Sequence, residues 1–139
     1  MLLQLIGTQL AKYLTKEHIY DDHYFRISID DIKSALKPGD VVLVEGQSRI
    51  SNAIQFITNS NWSHAAIFIG EAGSSSHCLI EVKAVDGCKF TDIDVYMHHN
   101  LRICRPMFLN NKKRKILIDY LIKKVGSKYD LKNIIDLIR

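Results

Sequence analysis

Short apolar runs separated by turn residues occupy the middle of the chain and predict a β-sheet. Val41–Val44 is uninterrupted and mostly β-branched, which predicts a strand buried on both faces. The run 63–70 contains His64 near its start and is closed by Gly70, which predicts a second buried strand. Three further extended segments are predicted at residues 77–84, 88–90 and 101–105.

Helical spacing of apolar residues predicts helices on either side of these strands. Ser48 is placed to cap a helix that reaches about Thr58. The inner stripe of that helix is predicted to be formed by Ile50, Ala53, Ile54 and Ile57. Asn110 or Asn111 is predicted to cap a second long helix, which ends before Gly126. Shorter or terminal helices are predicted at residues 2–16, from an Asp30-Asp31 cap through Leu36, near Tyr96, and from Tyr129-Asp130 to Ile138.

The order of these elements indicates the fold class. A helix, a strand and a helix precede clustered strands, and two helices close the chain. This order is typical of an α+β fold, in which an antiparallel sheet or small barrel packs against helices. A chain of 139 residues, 47% of them apolar, is long enough for one such domain with its own core.

Charge changes this picture only in the last third of the chain. The formal net charge is +4. Most of the basic residues of this part are Lys112, Lys113, Arg114, Lys115, Lys123, Lys124 and Lys128. We interpret them as the solvated face of a helix, with contact to an anionic membrane surface as the alternative. No nucleic-acid partner is expected, because no aromatic residues for base stacking are interleaved with these cations.

Cysteine content and the N-terminus bear on the compartment. The three cysteines of the chain are Cys78, Cys88 and Cys104. Their odd number and spacing predict reduced thiols in a cytosol-like compartment. The apolar N-terminus lacks a basic leader and is too short to span a bilayer, so we expect neither a signal peptide nor a transmembrane segment. Asp21-Asp22-His23 is interpreted as a solvated loop, and no metal and no cofactor are expected.

Two polar residues stand within apolar strands. His64 opens one predicted strand and Glu81 interrupts the next. A hairpin closed through residues 71–74 makes the two cross-strand neighbours, whereas a longer loop sets Glu81 opposite Ile67. A carboxylate that contacts a histidine nitrogen fixes the tautomer and stabilises the charged form, as a general base beside a nucleophile requires. Spacing alone leaves open both pairings and a third arrangement in which the two residues are unrelated.

The nucleophile for such a base is not evident from the residues. A reactive thiol requires a helix N-terminus or a cationic neighbour, and none of the three cysteines stands at a predicted helix start. Each is interpreted as a small buried hydrophobe. Ser48, Ser60 and Ser63 lack the Gly-x-Ser-x-Gly turn of a serine nucleophile.

Five segments together resemble a known family. They are Lys-Pro-Gly-Asp-Val-Val-Leu-Val from Lys37, Ile-Gln-Phe-Ile-Thr from Ile54, Trp-Ser-His-Ala-Ala-Ile-Phe-Ile-Gly from Trp62, Leu-Ile-Glu-Val from Leu79 and Gly-Ser-Lys-Tyr-Asp from Gly126. This series resembles the permuted branch of the NlpC-type papain-like cysteine hydrolases, the YiiX/YebB-like group, with lecithin retinol acyltransferase as a more distant relative. The resemblance covers residues 36–139. Residues 1–35 are left as an N-terminal helical extension.

The resemblance implies roles for particular residues. His64 is implied to be the catalytic general base, and Glu81 the catalytic residue that orients it. The cysteine nucleophile of the family follows the Tyr-Asp segment, here Tyr129-Asp130, whereas no cysteine follows Cys104 in this sequence. We therefore expect residues 36–139 to form a permuted papain-like hydrolase domain that is C-terminally incomplete.

The predicted function is that of a papain-like thiol hydrolase or acyltransferase acting on an amide or ester carbonyl. A peptide, an isopeptide and a lipid ester remain open as the substrate, and so does dimerisation through the incomplete edge. The alternative is a non-catalytic binding module. It would hold a protein or an acidic membrane in the same groove or on the basic helix at residues 112–128.

Overall fold

The computed structural model describes Gln9, residues 13–16 and residues 27–128. Within them, three α-helices and five strands follow one another, with a short 3₁₀-helix before the last strand. The helices are α1 (Ile29–Ala35), α2 (Arg49–Thr58) and α3 (Asn111–Lys124). The strands are β1 (Val41–Val44), β2 (His64–Ala72), β3 (Ser75–Lys83), β4 (Gly87–Asp92) and β5 (Leu101–Cys104), and the 3₁₀-helix is Ile93–Tyr96.

The five strands form one antiparallel sheet in the order β4-β3-β2-β1-β5. Each strand pairs antiparallel with its neighbours in that order. In the part of the chain that the structure describes, β4 and β5 are the outer strands and do not pair with each other. The predicted α+β class is therefore confirmed, as an open sheet packed against helices and not as a closed barrel.

One face of the sheet, which we call the histidine face, carries the larger core. The buried side chains of this core are Ile32, Leu36, Val42, Val44, Ala66, Phe68, Leu79, Ile93 and Tyr96. They come from α1, the central strands and the 3₁₀-helix. Burial in β1 alternates, with Val42 and Val44 buried and Val41 and Leu43 only half-buried. The prediction that β1 is buried on both faces was wrong, because only one side of this strand meets the main core.

The opposite face, which we call the cysteine face, carries a smaller core under α3. Its buried members are Ile69, Cys78, Ile80 and Cys88. Ile118, Leu121 and Val125 pack onto it from α3 and the residue that follows. Asn110 caps α3 by accepting a hydrogen bond from the amide of Lys113, so the predicted cap and helix are confirmed.

The predictions for the first two helices were less accurate. Ser28, not Asp30, is the N-cap of α1, and its hydroxyl accepts from the Asp30 amide. Ser48 does cap α2. The predicted inner stripe of α2 was wrong, because Ile57 is 80% exposed and Ala53 is exposed too. This helix lies beside a cavity instead of the sheet core, so its apolar residues are not enclosed.

The hairpin between β2 and β3 turns in two residues, Gly73 and Ser74. Gly73 has a φ of +60°, as the first position of a primed hairpin turn requires. Two irregularities in the pairing, around Gly70, follow along the strands. Beyond these irregularities, Ala66 lies opposite Glu81. Neither of the two registers considered from the sequence is the observed one.

Some predictions fall on residues outside the described part of the chain. These are most of the opening helix at 2–16, the Asp21-Asp22-His23 loop and the final helix from Tyr129. Residues 13–15 are helical. None of the helices in the described ranges has both the length and the apolar content that a membrane crossing requires.

An ion pair between the buried Asp40 and Arg105, whose side chain is 44% exposed, holds the start of β1 against the end of β5. Asp40 is 2% exposed, and the Arg105 guanidinium donates to both of its oxygens, at 2.9 and 2.7 Å. Arg105 also donates to the Ala35 carbonyl at 2.7 Å, and the Lys37 amide donates to Asp40 at 2.8 Å. Burial acts to raise the pKa of Asp40, but these partners hold it below its ordinary value.

We predict that Arg105→Ala lowers the free energy of unfolding, because the buried Asp40 carboxylate loses its bidentate partner. Urea unfolding at neutral pH measures this loss. Arg102→Ala, which removes an exposed arginine from β5, is the matched control and should change stability by less than about 0.5 kcal/mol. Equal stability of the two variants would contradict the assigned role of the pair.

Candidate functional site

The register of the sheet brings His64 and Glu81 together on the histidine face. Ala66 is opposite Glu81, so His64, two residues before Ala66, has its side chain on the same face and diagonal to Glu81. His64 Nε2 lies 2.8 Å from Glu81 Oε2. The sequence singled out the two residues that meet, but it left their arrangement open, and the pairing it considered for them set them directly opposite each other instead of diagonal.

Glu81 is a buried carboxylate whose two oxygens are both hydrogen-bonded. The residue is 2% exposed. Oε2 accepts from His64 and from the Tyr96 hydroxyl. Oε1 accepts from the Thr91 hydroxyl at 2.5 Å, and the Lys83 ammonium lies 3.5 Å from the same oxygen. These partners come from β2, β3, β4 and the 3₁₀-helix, so four elements fix one carboxylate.

These contacts decide the charge of Glu81. Burial acts to raise its pKa, but the hydrogen bonds from His64, Thr91 and Tyr96 and the charge of Lys83 outweigh it and lower the pKa to about 2. Glu81 is therefore ionised at neutral pH and can only accept hydrogen bonds.

The ionised Glu81 determines the tautomer of His64. Because the carboxylate can only accept, Nε2 of a neutral His64 must carry the proton that is shared with Oε2. The lone pair of the ring is then on Nδ1. The His64 side chain is 23% exposed, so part of the ring is open while Glu81 is enclosed. A histidine held in this way can take a proton at Nδ1 and keep the resulting positive charge beside an anion.

His64 and Tyr96 line a cavity of about 550 Å³. One side of it carries three serines: Ser48, Ser51 and Ser63. The apolar side chains of Ile50, Ile54, Val82, Val85 and Val95 form much of the remainder. A cavity of this size with apolar walls and a few polar groups is suited to a small ligand or to one end of a larger one.

Gly46 allows the backbone after β1 to lie close to the side chains of Ser51 and Ser63. Its amide donates to Ser63 Oγ at 3.1 Å. A Cβ at this position would lie 2.7 Å from Ser63 Oγ and closer still to Ser51 Oγ, so the approach requires a glycine. Ser48 Oγ and Ser51 Oγ are 2.8 Å apart. These hydroxyls and His64 line the same cavity because α2 follows the end of β1, where Val44 pairs with His64 at the start of β2.

The three cysteines lie on the other side of the sheet from His64. Cys78 and Cys88 belong to the small core under α3, and burial raises the pKa of the Cys78 thiol. Cys104 is opposite Val41, which places it on the cysteine face as well. No cysteine of this sequence therefore shares a face with His64.

The segment after α3 runs back to the edge of the cavity. The Gly126 amide donates to the Cys88 carbonyl at 2.8 Å, and the Cys88 amide donates to the Ser127 carbonyl at 2.9 Å. Cys88 follows closely on residues 84–86, which line the cavity. The described chain therefore reaches its last residue, Lys128, beside the β3–β4 turn.

Sequence reasoning missed most of the residues around His64 and Glu81. Tyr96, Thr91 and Lys83 had no signal as partners of a carboxylate, because their proximity depends on strand register and on the 3₁₀-helix. Ser63 is different, because it directly precedes His64 in the sequence. Its place near the histidine could therefore be predicted without a structure. No group of three or more histidine, cysteine or acidic side chains suited to a metal ion occurs within residues 9, 13–16 and 27–128.

Comparison with known proteins bears on this arrangement. The model of one protein family matches residues 35–136, and that family is described as the permuted papain-like amidase enzymes, YaeF/YiiX, C92 family. The match covers about three quarters of the 139 residues, including both His64 and Glu81. A search of the curated proteins found no match.

We predict that Glu81 makes stability depend on pH in acid. Its folded-state pKa of about 2 is below the ordinary 4.5. Between these two pH values Glu81 is therefore mostly protonated in the unfolded chain and mostly ionised in the folded chain. The corresponding stabilisation, about 3 kcal/mol, is present above pH 5 and is lost as the pH falls towards 2. Urea unfolding between pH 7 and 2.5 should show the gap between wild type and Glu81→Gln narrowing across that interval.

Glu71→Gln serves as the control, because Glu71 is an exposed carboxylate on the neighbouring strand. Its stability curve should run parallel to that of the wild type. A Glu81→Gln curve that also stays parallel at every pH would contradict the ionised state assigned to Glu81.

Proposed function

The chain belongs to the permuted papain-like amidase family, whose members are thiol hydrolases, and we propose that His64 and Glu81 are the base half of such a site. In this proposal His64 is the general base and Glu81 orients it. The observation that carries the proposal is the contact of 2.8 Å between His64 Nε2 and an ionised, buried carboxylate. It leaves Nδ1 as the basic nitrogen of the ring.

The proposed reaction begins with transfer of a thiol proton to His64 Nδ1. The thiolate attacks an amide or ester carbonyl and forms a carbon–sulfur bond, while the carbonyl oxygen takes the electron pair. Collapse of this intermediate expels the amine or alcohol, which receives the proton from His64. Water, deprotonated by His64, then attacks the thioester and releases the acid and the thiol. Glu81 keeps its negative charge beside the imidazolium throughout.

The nucleophile in this proposal is not Cys78, Cys88 or Cys104, because all three lie on the cysteine face. We propose a cysteine that follows Tyr129-Asp130, in residues continuing the chain beyond Arg139. The course of the described chain supports this, since Ser127 and Lys128 run beside the turn that lines the cavity.

The cavity bears on the substrate. Its apolar wall suits the hydrophobic part of an acyl donor, and the serine hydroxyls beside His64 suit the polar atoms around a carbonyl. We propose an amide or ester substrate, which takes in a peptide, an isopeptide and a lipid ester. The apolar wall does not distinguish these three, because each can present an apolar group next to its carbonyl.

We predict that one cysteine of the full gene product, expressed with every residue that its reading frame encodes, reacts with iodoacetamide about tenfold faster than free cysteine at pH 6. The expected reason is a thiolate stabilised by protonated His64. His64→Ala should reduce that rate to the level of free cysteine, while His98→Ala, which removes an exposed histidine, should leave it unchanged. Mass spectrometry of the labelled peptides identifies the cysteine.

Three outcomes would contradict the proposal. They are the absence of any fast cysteine, a fast cysteine that His64→Ala does not slow, and fast labelling at Cys78, Cys88 or Cys104. The first would favour the alternative of a binding module that holds its ligand without chemistry.

A further inference from the structure

The outer surface of α3 concentrates positive charge. The basic residues of this helix are Lys112, Lys113, Arg114, Lys115, Lys123 and Lys124, and Asp119 is its one acidic residue. Ile118 and Leu121 point inward onto the cysteine face. At 100° per residue, Lys112, Ile116 and Lys123 therefore lie near the centre of the outward side. All three are exposed.

The distribution of charge along α3 is unfavourable for an isolated helix. Four of the first five residues are basic, and no acidic residue lies in the first turn. The helix macrodipole favours anions at this end, so the helix loses stability by holding cations there. An anionic partner that covers this end would offset the loss.

Exposed apolar side chains accompany these cations. Met107 and Phe108, just before the Asn110 cap, are 86% and 84% exposed. Ile116 and Tyr120 follow on the outward side of α3, at 60% and 57%. Apolar residues of this size are ordinarily scattered singly on a surface, whereas Ile116 and Tyr120 lie among lysines on α3, and Met107 and Phe108 directly precede its basic N-terminal end. We call this surface, made of residues 107–108 and the outward side of α3, the basic platform.

We propose that the basic platform docks the protein onto an anionic lipid bilayer. Protein–protein interfaces are enriched in Met, Phe and Tyr but depleted in lysine, so it is the lysines that distinguish the basic platform from such an interface. Cations around exposed Met, Phe, Ile and Tyr side chains are typical of an amphipathic surface helix. The lysines would meet the headgroups, and Met107 and Phe108 would enter the boundary between headgroups and acyl chains. This inference does not rest on the proposed hydrolase reaction.

The docked orientation follows from the fold. The basic platform lies over the cysteine face, and His64 lies on the histidine face of the same sheet. A bilayer on the platform would therefore leave the cavity directed away from the lipid. The proposal accordingly assigns the platform to attachment and not to delivery of a lipid into the cavity.

We predict that the protein cosediments with vesicles of 70% phosphatidylcholine and 30% phosphatidylglycerol in about 50 mM NaCl, and is released in about 500 mM NaCl. It should not bind vesicles of phosphatidylcholine alone. Lys112→Gln/Lys123→Gln should weaken the binding roughly 30-fold, because each surface lysine contributes about fivefold. Lys16→Gln/Lys89→Gln makes the same change in net charge away from the platform and should have little effect.

A second pair of variants tests insertion. Phe108→Ser should weaken binding to the anionic vesicles about tenfold, since one inserted aromatic side chain is lost. Phe56→Ser removes an equally exposed phenylalanine from α2 and should bind as the wild type does. Circular dichroism melting of each variant checks that the fold is retained.

Several results would overturn the proposal. Equal losses from the two lysine pairs would mean that net charge alone is sensed. Unchanged binding of Phe108→Ser would contradict the insertion of that side chain into the bilayer. Equal binding to neutral vesicles would contradict the role of charge complementarity. Displacement from the vesicles by inorganic phosphate at about 10 mM would identify a site for free anions, because that concentration barely alters screening.

Discussion

The buried negative charge of Glu81 is the constraint on which the histidine face depends. An ionised carboxylate that leaves water incurs a large desolvation penalty, which only charge partners and hydrogen bonds can offset. Here the partners are His64, Thr91, Tyr96 and Lys83. Each stands on a different element, so the carboxylate ties the two hairpin strands, β4 and the 3₁₀-helix to one arrangement. The same contacts that keep Glu81 ionised also orient His64.

The two faces of the sheet separate His64 from the three cysteines. On the histidine face, a cavity with serine hydroxyls lies next to the imidazole. On the cysteine face, Cys78 and Cys88 are enclosed by apolar side chains of the sheet and α3. Burial raises the pKa of the Cys78 thiol, so the position that makes this cysteine a good packing residue makes it a poor nucleophile. The outward side of α3 is left with its lysines in solvent.

Much of the fold was predictable, and the errors have identifiable causes. All five strands and the capped helices α2 and α3 follow from β-branched runs, apolar spacing and single capping residues such as Ser48 and Asn110. Those signals are local, because strand and helix geometry act on adjacent residues. The burial of β1, the inner stripe of α2 and the hairpin register were wrong. Each depends on what lies across from a residue, and that is decided by elements distant in the chain.

The sequence by itself determined the elements, the α+β class and the family, since short motifs around Gly39-Asp40, His64 and Glu81 carry those. It also singled out His64 and Glu81, because polar residues within apolar strands are visible without a structure. Only the tertiary structure decided that the two side chains touch, since a one-residue change of register would turn Glu81 to the other face. It alone placed the three cysteines away from His64 and supplied Tyr96 and Thr91 to the carboxylate. A side chain's partners are set by the packing of whole elements, and no local pattern records that packing.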